Sequence, residues 1–245
     1  MTKPSERPRK SRFRSSASKA RKRKFIVLVE GETTETAYLD FVQSTVANQN
    51  IEISVLTPGS ARSTLFSHAR SELETLANEG RKLLKSEGRK DKAEDLSQAL
   101  LSNEVGEVWI VCDVDDEAES IKQLRPVPEH QRTHDDLDEA VPYVRWAVSN
   151  PCFEVWLIWH FEDYSNPGVR SIAQKICKDR RILSGANGKV LDRSRLTPEN
   201  TELAISRAKH MRKRHSEIST FPNDVPSSDM DLLVEALQRL ESLKK

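Results

Sequence analysis

A chain of 245 residues, 36% hydrophobic and 31% charged, has the length for one large or two small domains around a buried core. No apolar run approaches the roughly 20 residues of a bilayer-spanning helix, and no apolar stretch of a secretory signal follows the basic N-terminus, so membrane and secreted classes are set aside. The net charge of +1 conceals an asymmetry, because residues 1–24 carry +10 and the remainder −9.

A run such as residues 1–23, rich in Lys and Arg and almost without apolar side chains, repels itself and is expected to be a disordered basic tail. Arg21, Lys22 and Arg23 at its end are candidates for gripping a phosphate backbone through counterion release; a solubilising tail is the plainer alternative. KFIVLV, from Lys24 to Val29, reads as a strand covered on both faces. It runs into EGETTE, and Ala37, Tyr38, Phe41, Val42 and Thr45 then recur at helical spacing. Ile51–Leu56 alternates as a strand and ends at the turn signal TPGS. A helix is predicted from Ser63 to about Lys85, and a second piece from Ala93 to Leu101. Val108 to Cys112 is again a buried strand that delivers carboxylates, in the stretch EVWIVCDVDDE.

Two prolines mark RPVPEHQRTH as a loop. VRWAVSN then predicts a strand to about Ser149, followed by a helix with Asn150 as its N-cap and Pro151 at its first position. Residues 165–195 are interrupted by Gly168, Gly185 and Gly188, with one short helical piece around Ile172 to Cys177. A long basic helix is expected from Asn200 to Ile218, carrying Arg207, Lys209, Arg212, Lys213 and Arg214, the last three as candidate nucleic-acid contacts. Met230 to Leu243 closes the chain with Leu233, Leu237 and Leu240 on one face. The order of strands and helices predicts an α/β fold with a mainly parallel sheet, flanking helices and a helical C-terminal region.

In such a sheet, sites form beyond the C-terminal strand ends. Glu30 and Asp113, some eighty residues apart in sequence, would then share one edge. Acidic residues near a helix N-terminus gain about 0.3–1 kcal/mol each from its dipole, which accounts for Glu32 and Glu35 but not for Glu30 or Asp113. Two carboxylates about 4 Å apart repel by roughly 4 kcal/mol at an effective dielectric near 20. A cluster of them must recruit a cation, bind protons or splay apart, and Mg²⁺ is the natural partner for hard oxygen donors. Asp113 and Asp115 converge if the chain turns there. Glu154, within an apolar run, calls either for the same ion or for a Lys or Arg.

VEGETTE, VCDVDD and SNPCFEVWLIWHF together resemble the RloB-like proteins, a branch of the Toprim (topoisomerase–primase) superfamily of prokaryotic restriction and phage-defence loci. The resemblance runs from about Lys24 to the C-terminal helix. It implies a Toprim-like core over residues 24–160, a mostly helical extension over 161–245 packed on it, and metal-dependent phosphodiester hydrolysis of DNA or RNA. It further implies Glu30 in acid–base chemistry, Asp113 and Asp115 on Mg²⁺ (or Mn²⁺), and Glu35 and Glu154 completing a two-metal site, as in the related overcoming-lysogenization-defect nucleases. Glu117, at DxDxE spacing, competes with Glu154 for the third metal position. The alternative is a silent Toprim-like subunit regulated by a P-loop ATPase of the RloA type.

Lookalike motifs are weaker. His130 and His134 stand four apart, but Gln131 occupies the place where a zinc-protease helix needs Glu. SGANGK lacks P-loop spacing, His160 reads as a packed histidine, and Trp146, Trp156 and Trp159 read as core. Cys112, Cys152 and Cys177 form no CxxC pair, which predicts a reducing, cytoplasmic setting. The expected partner is nucleic acid rather than a membrane, with a homo-oligomer left open.

Overall fold

Phe25, Val27 and Val29 face one side of the first strand and Ile26 and Leu28 the other, and all five are buried. That two-sided burial is what an almost uniformly apolar strand predicts. The computed structural model describes residues 22–58, 62–86, 88, 106–114, 144–166, 169–218 and 224–239. In chain order these hold β1 (Arg23–Val29), α1 (Thr34–Phe41), a π-helical turn (Val42–Val46), β2 (Ile51–Leu56), α2 (Arg62–Ser86), β3 (Gly106–Asp113) and β4 (Val144–Asn150). There follow α3 (Glu154–Trp159), α4 (Arg170–Asp179), β5 (Leu183–Ser184), β6 (Val190–Leu191), α5 (Pro198–Ile218), β7 (Ser227–Ser228) and α6 (Met230–Gln238). The helix expected over Ala93 to Leu101, the proline loop with His130 and His134, and the tail up to Arg21 lie outside the described residues.

The main sheet has the order β2-β1-β3-β4-β7. Pairing is parallel from β2 through β4, and only the short β7 runs antiparallel, against the end of β4. This is the mainly parallel α/β sheet with flanking helices that the strand–helix order predicts. One face is covered by α2, whose Leu65, Ala69, Leu73, Leu76 and Ala77 pack on Ile26, Leu28, Val108, Ile110 and Cys112. The other face meets α1 and α3 first, and the same apolar cluster continues through α4, α5 and α6. The segment after residue 160 therefore shares a core with the segment before it and adds β7 to its sheet. Among the described residues, no helix is long and apolar enough to cross a membrane.

One expected cap is corrected. Asn150 does not start a helix: it is the last residue of β4, pairs with Ser227 and donates from its side chain to Asp224 at 3.2 Å. Its backbone is committed to the sheet, so α3 begins later, at Glu154, with Phe153 in the capping position.

The long helix α5 does not display all its basic residues. Arg212 turns inward and donates to both carboxylate oxygens of Asp231, at 3.0 and 2.5 Å, and to the Ser228 carbonyl at 3.3 Å. Asp231 is fully buried. Burial pushes its carboxyl above the ordinary value, and the Arg212 guanidinium works against that shift. This pair fastens α5 to α6 and β7, and through β7 to β4. Removing one partner of a buried pair strands the other, at a cost of about 3–5 kcal/mol, whereas replacing both with apolar groups is often neutral. Because Arg212 reaches solvent, Arg212→Ala is expected to lower the unfolding free energy by about 3 kcal/mol. Adding Asp231→Leu is expected to recover most of that loss in urea titrations.

Candidate functional site

The ladder between β1 and β3 sets Val29 opposite Val111, and the Glu30 amide donates to the Val111 carbonyl at 3.3 Å. Asp113, the last residue of β3, pairs with Ser149 of β4. Glu30 and Asp113 thus stand on the C-terminal edge of adjacent strands, where β2 lies to one side of β1 and β3 to the other. This is the topological switch point at which open α/β sheets place their sites. Glu35 comes from the first turn of α1 and Glu154 is the first residue of α3. All four acids line one cleft of about 150 Å³, together with Gly31, Glu32, Arg170 and Lys189.

The electrostatics match crowded acids. Burial raises the Glu35 carboxyl above its ordinary value; a hydrogen bond to its own backbone opposes the shift, and the charges of Glu154 and Glu30 add to it. Lys189 pulls it down. Arg170 holds its guanidinium 3.9 Å from Asp113, while Glu154, nine-tenths buried, has no salt bridge among the described residues. Cys152 sits nearby, but burial first, and then Glu154 and Asp113, push its thiol far up. A thiol held protonated is no nucleophile.

Gly31 has a specific reason to be glycine. A Cβ at that position would stand 2.4 Å from one Glu35 carboxylate oxygen and closer still to the other. The Glu35 side chain therefore folds back against the bare Gly31 backbone, which is how a residue on α1 reaches a cleft built at the end of β1. Beneath it, Tyr38 and His160 tie α1 to α3. The His160 Nδ1 lies 3.0 Å from the Trp156 carbonyl and its Nε2 3.3 Å from the Tyr38 hydroxyl. A carbonyl only accepts, so Nδ1 carries the proton and Tyr38 donates to Nε2. Burial lowers the His160 pKa to about 4, and the ring is neutral.

The structure brings Glu30, Glu35, Asp113 and Glu154 together. Asp115, Glu117 and Arg21 lie outside the described residues. Lys22 and Arg23 stand at the opposite end of β1, a strand of seven residues and hence about 20 Å from the cleft. Arg23 is paired there with Glu107 at 2.5 Å. Lys213 and Arg214 are exposed on α5, while Arg212 is committed to Asp231. Two cleft residues, Arg170 and Lys189, have no signature in the sequence. SGANGK, dismissed as a phosphate loop, is the β5–β6 turn that presents Lys189. The Thr34 hydroxyl fixes it by donating to the Lys189 carbonyl at 2.9 Å.

The donors are all carboxylate oxygens, the type a hard divalent cation takes. Among the described residues no group of three acidic, His or Cys side chains stands ready to hold one ion. Mg²⁺ does not require it, since one or two carboxylates with water and substrate phosphates are its usual shell. Glu30 and Asp113 fit that role.

A family model described as RloB-like protein matches residues 25–237, most of the chain and all of the cleft. No curated protein and no solved structure matches significantly.

Since the folded protein holds the Glu35 proton more tightly than the unfolded chain, its stability falls as pH rises from the ordinary value of 4.5 through the raised one. In EDTA, Glu35→Gln removes that loss. Its melting midpoint is expected to match the parent's below about pH 4 and to exceed it at pH 7. Gly31→Ala is expected to change stability by less than about 0.5 kcal/mol, because only the flexible end of Glu35 must move. Half-saturation by Mn²⁺, followed calorimetrically, should weaken at least several-fold.

Proposed function

The chain belongs to the RloB-like protein family, and from that premise we propose that it is a divalent-metal-dependent nuclease of a prokaryotic phage-defence or restriction system. One observation carries the reading: Glu30, Glu35, Asp113 and Glu154, drawn from three segments of the chain, line a single cleft at the switch point of the sheet. A Toprim-like assignment of the core agrees with that placement.

Glu30 and Asp113, with Asp115 beyond the described residues, would hold Mg²⁺ or Mn²⁺, and Glu154, Glu35 and Glu117 are the candidates for a second ion. When bound, such ions polarise the scissile phosphate and lower the pKa of an attacking water. The rest falls to the chain. Glu30 takes a proton from the water or returns one to the leaving oxygen. Arg170 and Lys189, on the rim of the same cleft, orient the phosphate by its non-bridging oxygens. Glu35, whose carboxyl burial pushes up, is charged more readily when a cation is near.

The Arg170 contact with Asp113 favours a second reading, in which arginine takes the cation's place in a silent subunit until a partner, such as a P-loop ATPase of the RloA type, withdraws it. The two readings differ in an assay of plasmid, single-stranded DNA and tRNA with Mg²⁺, Mn²⁺ or EDTA. Cleavage is expected with metal and is expected to drop at least a hundredfold in Glu30→Gln and Asp113→Asn, an effect of about 3 kcal/mol. Equal rates in all three proteins would remove the assignment. Metal uptake without cleavage, changed by adding the ATPase, would favour the silent subunit.

A further inference from the structure

The two stretches expected to grip a polyanion are rooted on the far edge of the sheet or partly turned inward, yet a different basic surface borders the cleft. Residues 170–195 hold eight Lys and Arg against two Asp. They form α4 and the β5–β6 hairpin, the segments that deliver Arg170 and Lys189 to the cleft. Ala173 and Cys177 anchor α4 in the core, while Lys175, Lys178 and Arg181 are exposed.

Their arrangement is linear. Arg170 and Lys178 are eight residues apart, just over two turns along α4 and about 80° apart around it. The Lys178 side chain crosses the hairpin turn at Gly188, where a Cβ would come within 3.0 Å of its ammonium. That crossing sets Lys178 beside the residue preceding Lys189. Gly188 holds a φ of +59° and Gly185 one of +81°, a backbone that glycine adopts without penalty. From Arg170 to Lys178 the line is roughly 12 Å long, a length over which one strand of a duplex carries three or four phosphates. Arg180 is paired with Glu162 and Arg193 with Asp40. Lys175, Lys178 and Arg181 form no salt bridge among the described residues.

We propose that α4 and the β5–β6 hairpin form the track on which a nucleic-acid backbone lies, passing Arg181, Lys178 and Lys189 before it reaches Arg170 at the cleft. That the track leads to chemistry rests on the nucleolytic reading of the cleft; that it binds phosphates does not. The spacing along a line fits a polymer of regularly placed anions, and its end at a cleft of carboxylates fits one whose backbone is to be cut.

The test uses the full chain in EDTA, with fluorescein-labelled single-stranded and duplex oligonucleotides, and follows anisotropy across a KCl series. The variant combines Lys178→Gln and Arg181→Gln, both on the surface, with circular dichroism to verify the fold. It is expected to bind more than about tenfold more weakly at 100 mM salt. Its slope of log K against log salt should be shallower by about 1.5–2, from roughly 0.7–0.9 per phosphate contact. Lys213→Gln with Arg214→Gln is expected to leave both unchanged. An unaltered slope in the α4 variant, with the loss moved to the α5 pair or to removal of the first 21 residues, would overturn the track. So would the absence of salt-dependent binding, which would point to an acidic protein partner. Cleavage of the same oligonucleotides with Mg²⁺ separates the two ideas. Track-dependent binding without cleavage keeps the track and sinks the nuclease, and cleavage with an unaltered slope does the opposite.

Discussion

The parallel pairing of β1, β3 and β4 is the constraint from which the rest follows. Strands that run the same way end at the same edge, so whatever follows Val29, Cys112 and Asn150 is delivered to one side of the sheet. Each strand interior is apolar on both faces, and burying one such side chain is worth about 1.5–3 kcal/mol. Several of them together outweigh a repulsion of about 4 kcal/mol between two carboxylates 4 Å apart at a dielectric near 20. The strands therefore dictate where the acids stand, and the acids must accommodate. A slip of one residue in β3 would turn Trp109, Val111 and Asp113 to the α2 face and empty the cleft of its aspartate.

The accommodation occurs on one face only. Asp113 shares its side of the sheet with Trp109 and Val111, the side that α1 and α3 cover. These helices carry Glu35 and Glu154, so their separation decides the width of the cleft. The neutral His160 and the Tyr38 hydroxyl bond them directly, and Tyr38 also meets Phe153 and Trp156 edge-on at ring centroid distances of 5.7 and 6.1 Å. Tyr38, Phe153, Trp156 and His160 thus form a packed aromatic floor below the four acids. A floor of that kind lets a short helix such as α3, only six residues long, hold its glutamate in place.

Much of this was legible in the sequence because it is carried by local patterns. Apolar runs ending in Glu30 and Asp113 announced two buried strands, and their parallel arrangement implied a shared edge. Glu154 stood out as a carboxylate in an apolar run. What was not legible depends on contacts between distant segments. Nothing in the neighbourhood of Arg170 or Lys189 marks them as cleft residues, since their position follows from how α4 packs on α3 and the hairpin on α1. Asn150 looked like a cap because the residues around it suit one, yet β7, far along the chain, recruits it into the sheet. Arg212 looked like one of several surface cations, and only the burial of Asp231 turns it inward. Nothing in EGETTE shows that the lack of a Cβ at Gly31 serves the Glu35 carboxylate.

Charge counted along a sequence is therefore a poor guide to where a polyanion is held; what matters is whether each cation already has an acid. On α5, Arg207 meets Asp163 at 2.7 Å, Lys209 meets Glu235 at 2.6 Å, and Arg212 holds Asp231. These residues clamp the C-terminal elements, and their charges are largely neutralised where they stand. On α4 the helix is basic, its apolar stripe is buried, and its neighbours along the hairpin add charge of the same sign beside an acidic cleft. Four carboxylates alone would repel a phosphate chain, and exposed attraction fades over about 10 Å at 0.1 M salt. A cleft of acids that acts on a polyanion needs its cations within that distance, and the segments carrying Arg170 and Lys189 are the ones that reach it.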